Sequence, residues 1–279
     1  MTVQTQPGAD SGAYFEKVGP GRFHPTQHAG GAWGDAEIHF SPLGGLIVHV
    51  IEEFVAKHHG DGMLLSRVGF DILGFLAAEE CEIRVETVRP GRTIRLVEAT
   101  VEIADRTVVR ARAWYLAAYD TVSVAGGEEE RLAPVEGLAS SSMTAVWPGG
   151  FVASLDLRPV GPAHPGRGAV WLSTATTLVA GGEASALASW LALIDTANGV
   201  AARQPPQEWM FPNVDLTIHL HRQPGGRWVG MDTTVTFGPT GQGVTSTVLH
   251  DLDGPVGYAQ QSLTLRPQGP LQPLPPQAG

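Results

Sequence analysis

Residues Gly44 to His59 read GGLIVHVIEEFVAKHH, and this stretch decides how the first half of the chain folds. Its apolar residues recur at the spacing of an α-helix and form one stripe, made by Leu46, Ile47, Val50, Ile51 and Val55. We expect Ser41 to cap this helix, Pro42 to lie in its first turn and Gly60 to end it. A helix with one apolar stripe needs another layer to cover it.

The four sequence runs after this helix predict the covering layer. Their apolar residues have the spacing of β-strands rather than that of a helix. Turn-like breaks at 89–91 and 104–105 separate them. The runs are SRVGFDILGF, CEIRVETV, RTIRLVEATVEI and TVVRARAWYLAA. They predict an antiparallel meander.

The second half of the chain repeats this order. A strand-like AVWLSTATTLV and a helix within SALASWLALIDTANGVAA precede the four runs NVDLTIHLHR, RWVGMDTTVTF, GVTSTVLHDL and VGYAQQSLTLR. Aligning Arg67 with Asp215 also aligns Asp105 with Asp253, so one register without gaps covers four strands. The repeat predicts a duplicated α+β unit, in which each of two antiparallel sheets wraps its own central helix.

The two predicted units span residues 13–120 and 146–267, and the acidic segment 121–145 between them lacks periodicity and is expected to be a linker. A single large β-sandwich is the alternative. It would leave the apolar stripes of both helices uncovered. The Pro-rich segment after Arg266 is expected to be mobile.

Composition restricts the partners and the chemistry. The net charge of −10, with only 18 Lys and Arg residues, argues against nucleic acid and against anionic membrane surfaces. The start of the chain does not resemble a secretory signal and no apolar run is long enough to cross a bilayer, so the cytoplasm is the expected location. Cys81, the only cysteine, permits no intrachain disulfide or Cys-based zinc site and is expected on a buried strand.

Several ordered segments, from about Ala13 to Pro267, resemble a known family. They are FHPTQHAGGAW, SPLGGLIVH, VETVRPGRTIRLVEATV, RTVVRARAW, WMFPNVDLTIHLHR and GYAQQSLTLRP. They are similar to segments of thioesterase-like double-hotdog proteins, relatives of acyl-CoA thioesterase II. The resemblance implies a tandem double-hotdog fold and hydrolysis of acyl-CoA or related acyl thioesters, with no metal or other cofactor.

The resemblance also implies a site in which an Asp, a Thr or Ser, and a Gln position the hydrolytic water. Asp215 and Gln261 match the Asp and the Gln. Thr236 is chosen as the hydroxyl, although Thr233, Thr234 and Thr240 remain open. Such a set fits thioester hydrolysis, since a carboxylate can take a proton from water while an amide and a hydroxyl hold that water in place.

The repeat adds an argument from the residues themselves. The positions of Asp215 and Gln261 are held in the first half by Arg67 and Ala113, so we expect one active centre per chain. As alternatives, Asp215 caps a turn beside Asn213, and Gln261 is an exposed strand residue.

Backbone N–H groups at the start of the first helix are the expected donors to the substrate carbonyl. Gly44 and Gly45 lie there, and His39 precedes them, so these three residues are expected to bind substrate. The segment reads Leu43-Gly44-Gly45 where relatives have Phe-Gly-Gly or His-Gly-Gly, and His39 is alternatively a capping residue. We predict that Asp215 and Gln261 face this helix start from the other half.

Two other functions compete with hydrolysis. A non-catalytic protein that binds acyl-CoA would share the fold, and it would be favoured if Asp215 lay on the opposite sheet face from Gln261. A hotdog hydratase would require an Asp and a His five positions apart before a helix, and the sequence has no such pair. The oligomeric state and the length of the acyl chain remain open.

Overall fold

The computed structural model describes residues 12–34, 36–60, 62–182 and 184–269. Its helices are α1 (Phe40–His59), α2 (Gly150–Ala153), α3 (Ala186–Leu191) and α4 (Ala197–Val200), with 3-10 turns at Gln27–Ala29, Val122–Val124 and Ile194–Thr196. The strands of the first half are β1 (Ala13–Gly19), β2 (Arg22–Pro25), β3 (Met63–Ile72), β4 (Cys81–Arg89), β5 (Ile94–Ile103) and β6 (Arg106–Ala117). Those of the second half are β7 (Leu155–Pro159), β8 (Arg167–Thr174), β9 (Thr177–Val179), β10 (Trp209–Met210), β11 (Asp215–Leu220), β12 (Val229–Phe237), β13 (Gln242–Asp251), β14 (Gly254–Thr264) and β15 (Arg266–Pro267).

The large sheet is continuous across the two halves. Its 13 strands run in the order β7-β8-β12-β13-β14-β11-β3-β6-β5-β4-β2-β1-β9, and β10 and β15 pair separately. The halves join where β3 and β11 pair antiparallel, with Gly69 opposite Thr217. The two antiparallel sheets expected from the sequence are therefore joined edge to edge. There is one sheet, and β1 and β9 pair in parallel within it.

Strand pairing repeats with the register expected from the sequence. Gly69 pairs with Arg112 in the first half, and Thr217 pairs with Gln260 in the second, where both residues lie 148 positions later. The pairs between β4 and β5 recur with the same offset between β12 and β13, as do those between β5 and β6 between β13 and β14. The four-strand repeat is thus present in the backbone.

The sheet curls around the helices. β8 lies near one end of the sheet and β9 at the other, yet only two residues connect Thr174 to Thr177. Because two residues span less than about 10 Å, the two ends must lie close together. The Tyr14 hydroxyl fastens this closure through hydrogen bonds with the hydroxyls of Ser154 (2.7 Å) and Thr174 (3.2 Å).

Helix α1 lies in the enclosed core and begins earlier than the sequence pattern indicates. Every residue from Phe40 to Ile51 is buried, and Gly60 ends the helix as expected. The N-cap is His39 rather than Ser41, because the imidazole Nδ1 accepts a hydrogen bond from the Ser41 N–H at 3.1 Å. The helix start therefore lies one turn before Gly44 and Gly45.

The central helical segment of the second half is interrupted. α3 covers six residues, a 3-10 turn follows at Ile194–Thr196, and α4 covers four more. The gap between α3 and α1 is too narrow for a side chain at Gly45, since a Cβ there would lie 2.4 Å from the Ala192 Cβ. The two helical segments therefore touch through glycine and alanine.

The expected linker is packed rather than free over part of its length. Val135 is buried with Trp171 and Trp228 in a small apolar cluster on the second half. The Trp171 indole N–H also donates a hydrogen bond to the Ala133 carbonyl at 2.8 Å. This segment thus covers the outside of the second unit.

Cys81 is buried, as expected, in β4 beside the short strand β2, where it pairs with Phe23. Burial raises the pKa of its thiol to about 12. No helix of the described residues is long and apolar enough to cross a membrane. Residues 270–279, most of the tail predicted to be mobile, lie outside the described residues.

Candidate active site

A buried carboxylate and two amides form a cluster beneath the sheet. Asp195 lies in the 3-10 turn between α3 and α4, Asn213 lies just before β11, and Gln261 lies on β14. The Asp195 Oδ1 accepts hydrogen bonds from Gln261 Nε2 and Asn213 Nδ2, each at 2.7 Å. Both amide donors converge on one oxygen, so Oδ2 has no hydrogen-bond partner among the described residues.

The start of α1 is attached directly to this cluster. The Asp195 backbone N–H donates a hydrogen bond to the Ser41 Oγ at 3.1 Å, and both residues are buried. Ser41 belongs to the first half and Asp195 to the second. The cluster therefore lies where the two halves meet.

A cavity of about 190 Å³ opens onto the cluster. Its walls come from both halves and include Trp33, His39, Phe40, Phe75, Asp195 and Asn213. Phe75 is 61% exposed and thus marks the opening to solvent. A carboxylate and a helix start therefore share one cavity with mixed polar and apolar walls, and converging polar groups in a concave site are typical of small-molecule binding.

Burial dominates the electrostatics of Asp195. It raises the carboxyl pKa to about 7, although the hydrogen bonds from Gln261 and Asn213 act in the opposite direction. A carboxyl with a pKa near neutrality can take a proton from water and give it up again within the same cycle.

His39 stays neutral near neutral pH, because burial lowers its pKa to about 4. With its Nδ1 occupied by the Ser41 N–H, the imidazole acts as a helix cap. The N–H of Phe40, the first residue of α1, has no acceptor among the described residues. An unpaired N–H at a helix start suits an oxygen that gains negative charge.

The structure does not bring Asp215 to Gln261. The Asp215 carboxylate accepts hydrogen bonds from the Ser262 N–H at 2.5 Å and the Ser262 hydroxyl at 3.3 Å. Ser262 is exposed, whereas Gln261 is only 2% exposed. Because neighbouring strand residues point to opposite faces, Asp215 lies on the outer face and Gln261 on the inner one. The expectation that they face each other is wrong, and this outcome by itself favours the acyl-CoA-binding alternative. Gln261 instead pairs with a different carboxylate, that of Asp195, so a carboxylate is still present on the inner face.

The candidate threonines are also absent from the cluster. Thr236 is exposed on β12, on the face opposite its buried neighbour Val235. Thr233 is buried, but its hydroxyl is 3.0 Å from that of Thr247. Thr240 donates to the Gln242 side chain at 2.6 Å. In the cluster, the second side-chain donor to Asp195 is the Asn213 amide rather than a threonine hydroxyl.

Gly44 and Gly45 do not line the cavity, whose walls contain His39 and Phe40 from the helix start. Gly45 faces Ala188 and Ala192 across the contact between α1 and α3, and a Cβ at Gly44 would meet the Phe40 ring at 3.4 Å. The expectation that these glycines approach the substrate is corrected: Gly45 permits close helix packing.

Sequence reasoning missed Asp195 and Asn213. The available signal was an Asp inside the apolar run ASWLALIDTAN, since a carboxylate on a buried helical face is costly and rarely serves packing. Asn213 was visible two residues before Asp215, and the choice between these two positions depended on which one faces inward.

A larger cavity, of about 520 Å³, lies elsewhere, beside β9 and α3. Its walls carry hydroxyls and Arg227, but no carboxylate or imidazole among the described residues. The described residues also contain no cluster of three or more His, Cys, Asp or Glu arranged to hold a metal.

Comparison with solved structures places the fold among hotdog proteins. A candidate thioesterase from Novosphingobium aromaticivorans DSM 12444 has a TM-score of 0.69 at 16% identity, with 91% of this chain and 98% of that one covered. A hot dog fold protein of unknown function from Alicyclobacillus acidocaldarius has a TM-score of 0.68 at 14% identity, with coverage of 94% and 98%. The acyl-CoA thioesterase II of Mycobacterium marinum has a TM-score of 0.62 at 14% identity, with coverage of 95% and 99%.

At these identities the likeness shows the fold alone, and a search of curated proteins gave no significant match. Family models supply the remaining evidence. The N-terminal domain of acyl-CoA thioesterase matches residues 30–116, and its C-terminal domain matches residues 130–265. Both domains of one family therefore match this chain in order, and the chain belongs to the acyl-CoA thioesterase family.

Proposed function

We propose that this protein hydrolyses acyl-CoA thioesters with a water molecule activated by Asp195. The observation that carries the proposal is the two-amide clamp on Oδ1, which leaves Oδ2 free beside a cavity shared with the start of α1. Asn213 and Gln261 hold the carboxylate in one orientation. A raised pKa near 7 suits this carboxyl to proton transfer at neutral pH.

The reaction balances with the residues of this chain alone. Asp195 accepts a proton as the water oxygen bonds to the carbonyl carbon, and the carbonyl oxygen becomes negative. The Phe40 N–H is the donor we assign to that oxygen, at the positive end of the helix dipole. The C–S bond then breaks, and the departing CoA sulfur receives the proton held by Asp195.

The proposal includes a tandem double hotdog, with units at 13–120 and 146–267. The repeated pairing register supports it, as does the central helical segment of each unit. In this arrangement Asp195, Asn213 and Gln261 come from the second unit, while the first supplies the helix start. One site per chain follows, because Ala113 stands at the first-unit position equivalent to Gln261.

The test compares two carboxylates only 20 positions apart in the sequence. Asp195→Asn keeps the shape and the hydrogen-bond acceptor but cannot take a proton from water, so hydrolysis of acyl-CoA should fall by roughly 100-fold or more. Asp215→Asn is the matched control and should leave turnover within about twofold, because that side chain lies on the outer face.

Equal loss in both variants, or normal turnover by Asp195→Asn, would remove Asp195 from the mechanism. If the wild-type protein binds acyl-CoA in calorimetry but turns over none, the acyl-CoA-binding alternative is correct instead.

A further inference from the structure

We propose that the site selects short acyl groups, of about four to six carbons, and that the indole of Trp33 sets this limit. The inference rests on the proposed hydrolysis of acyl-CoA and names the substrate class of that same site. Three features support it: the volume of the cavity, the aromatic side chains in its wall and the close packing of α1 among the described residues.

The cavity at Asp195 is small. Its volume of about 190 Å³ lies below the range of roughly 300–1,000 Å³ found for pockets that hold drug-sized ligands. At ~30 Å³ for each water-sized group, it holds about six such groups. The thioester carbon and oxygen occupy part of that space, so only a short chain of carbons can follow them.

One wall of the cavity is supported by aromatic rings packed edge-on. Trp33 packs edge-on against Trp147 and Phe211, with ring centroids 4.9 and 5.6 Å apart, and Trp147 packs against Phe211 at 5.7 Å. Trp147 and Phe211 are buried. Three mutually supporting rings resist displacement, since moving one also removes its contacts with the other two.

A second, smaller cavity lies behind Trp33. It has a volume of about 30 Å³, room for about one water, and it is bounded by Met143, Trp147 and Val152. Four residues line both cavities and form their shared wall: Ala32, Trp33, His39 and Asn198. Removing the indole would join the two spaces and lengthen the site.

The described residues around α1 are closely packed at two places. The contact between α1 and α3 is closed at Gly45, where even a Cβ would lie 2.4 Å from the Ala192 Cβ. Leu43, Leu46 and Ile47 are wholly buried in the continuous core. An extended fatty acyl chain therefore finds no space at these places among the described residues.

The experiment is a chain-length series, measured with butanoyl-, hexanoyl-, dodecanoyl- and hexadecanoyl-CoA on wild type and variants. Wild type should prefer the two shorter substrates, with kcat/KM for the two longer ones lower by roughly tenfold or more. Trp33→Ala should raise kcat/KM for dodecanoyl-CoA by a similar factor. Trp209→Ala is the matched control, because Trp209 lies on β10 and lines neither cavity.

Trp33→Leu retains an apolar side chain and replaces the alanine variant if that one fails to fold. Binding of non-hydrolysable thioether analogues of the same four lengths separates this inference from the proposed function. A wild-type preference for the long substrates or analogues, or an unchanged profile in a folded Trp33 variant, would overturn the inference while hydrolysis stands. Tight binding of the short analogues without any turnover would uphold the size limit and reject the hydrolase.

Discussion

The Asp195 carboxyl is buried without a cation beside it, so only two amide donors stabilise its ionised form. Its folded-state pKa of about 7 is far above the ordinary value of 3.8. Between pH 3.8 and about 7, the Asp195 carboxyl is therefore mostly protonated in the folded protein and mostly ionised in the unfolded chain. The unfolding free energy must fall as pH rises through that range and then level off.

We predict that Asp195→Asn is more thermally stable than wild type at neutral pH. The asparagine is neutral at every pH and so lacks the cost of ionising a buried carboxyl. The difference in Tm should be smallest near pH 4, grow up to about pH 7 and stay constant above it. Calorimetric scans of both proteins across this range measure it, and a gap that does not change with pH would contradict the assigned pKa.

The same titration predicts how activity depends on pH. Only the ionised carboxylate can take a proton from water, so kcat/KM should rise with pH and reach a plateau above about pH 7. Gln261→Ala removes one donor to Asp195 and should move this midpoint to higher pH, because the hydrogen bond lowers the pKa. A midpoint at the same pH in both proteins would mean that another group controls the rate.

Gln261 was chosen because the segment around it resembles the family, and the structure gives it a different partner from the one expected. Asp195 could not be predicted, because its role depends on three elements that meet only in the folded chain. The choice of Asp215 failed because the pairing of β11 with β14 turns this residue to the outer face, where its carboxylate binds Ser262. Asn213 lies before the strand, and its amide reaches Asp195.

At the scale of elements, α1 shows how two adjacent glycines differ. Both lie in its second turn, yet only Gly45 touches α3, while Gly44 has ordinary contact distances to the Phe40 ring. The amphipathic stripe predicted the helix and its end at Gly60. Its start was missed because a histidine cap is uncommon among N-caps and depends on the orientation of the ring.

We predict opposite effects of alanine at these two positions. Gly44→Ala should leave stability unchanged or raise it by up to about 1 kcal/mol, since alanine favours the helix. Gly45→Ala should lower it by roughly 1–3 kcal/mol, because the new methyl group collides with Ala192. Urea denaturation of the two variants measures both values. A Gly45→Ala variant as stable as wild type would show that α1 and α3 separate readily.

At the scale of the whole molecule, the two halves share one core and one sheet. β3 pairs with β11, β1 pairs with β9, and the main buried cluster contains side chains from both halves. The duplicated register was visible in the sequence because four strands kept their spacing. An edge-to-edge union of the two sheets was also expected, but the parallel pairing of β1 with β9 was not, since pairing between distant edges leaves no local pattern.

We therefore predict that the protein unfolds in a single cooperative transition. Breaking either half would expose the β3–β11 edge and the face of α1 together. Far-UV circular dichroism and tryptophan fluorescence should give the same midpoint in guanidinium chloride. Two resolved transitions would show that the halves fold independently despite their shared sheet.

The buried thiol of Cys81 can be used to measure local opening of the sheet. Alkylating reagents attack the thiolate, and a pKa of about 12 together with burial keeps that species scarce in the native protein. Cys81 pairs with Phe23 of the short strand β2, near the β9 end of the sheet. The rate of Cys81 alkylation under native conditions thus reports how often β2 separates from β4. The measurement needs no engineered label.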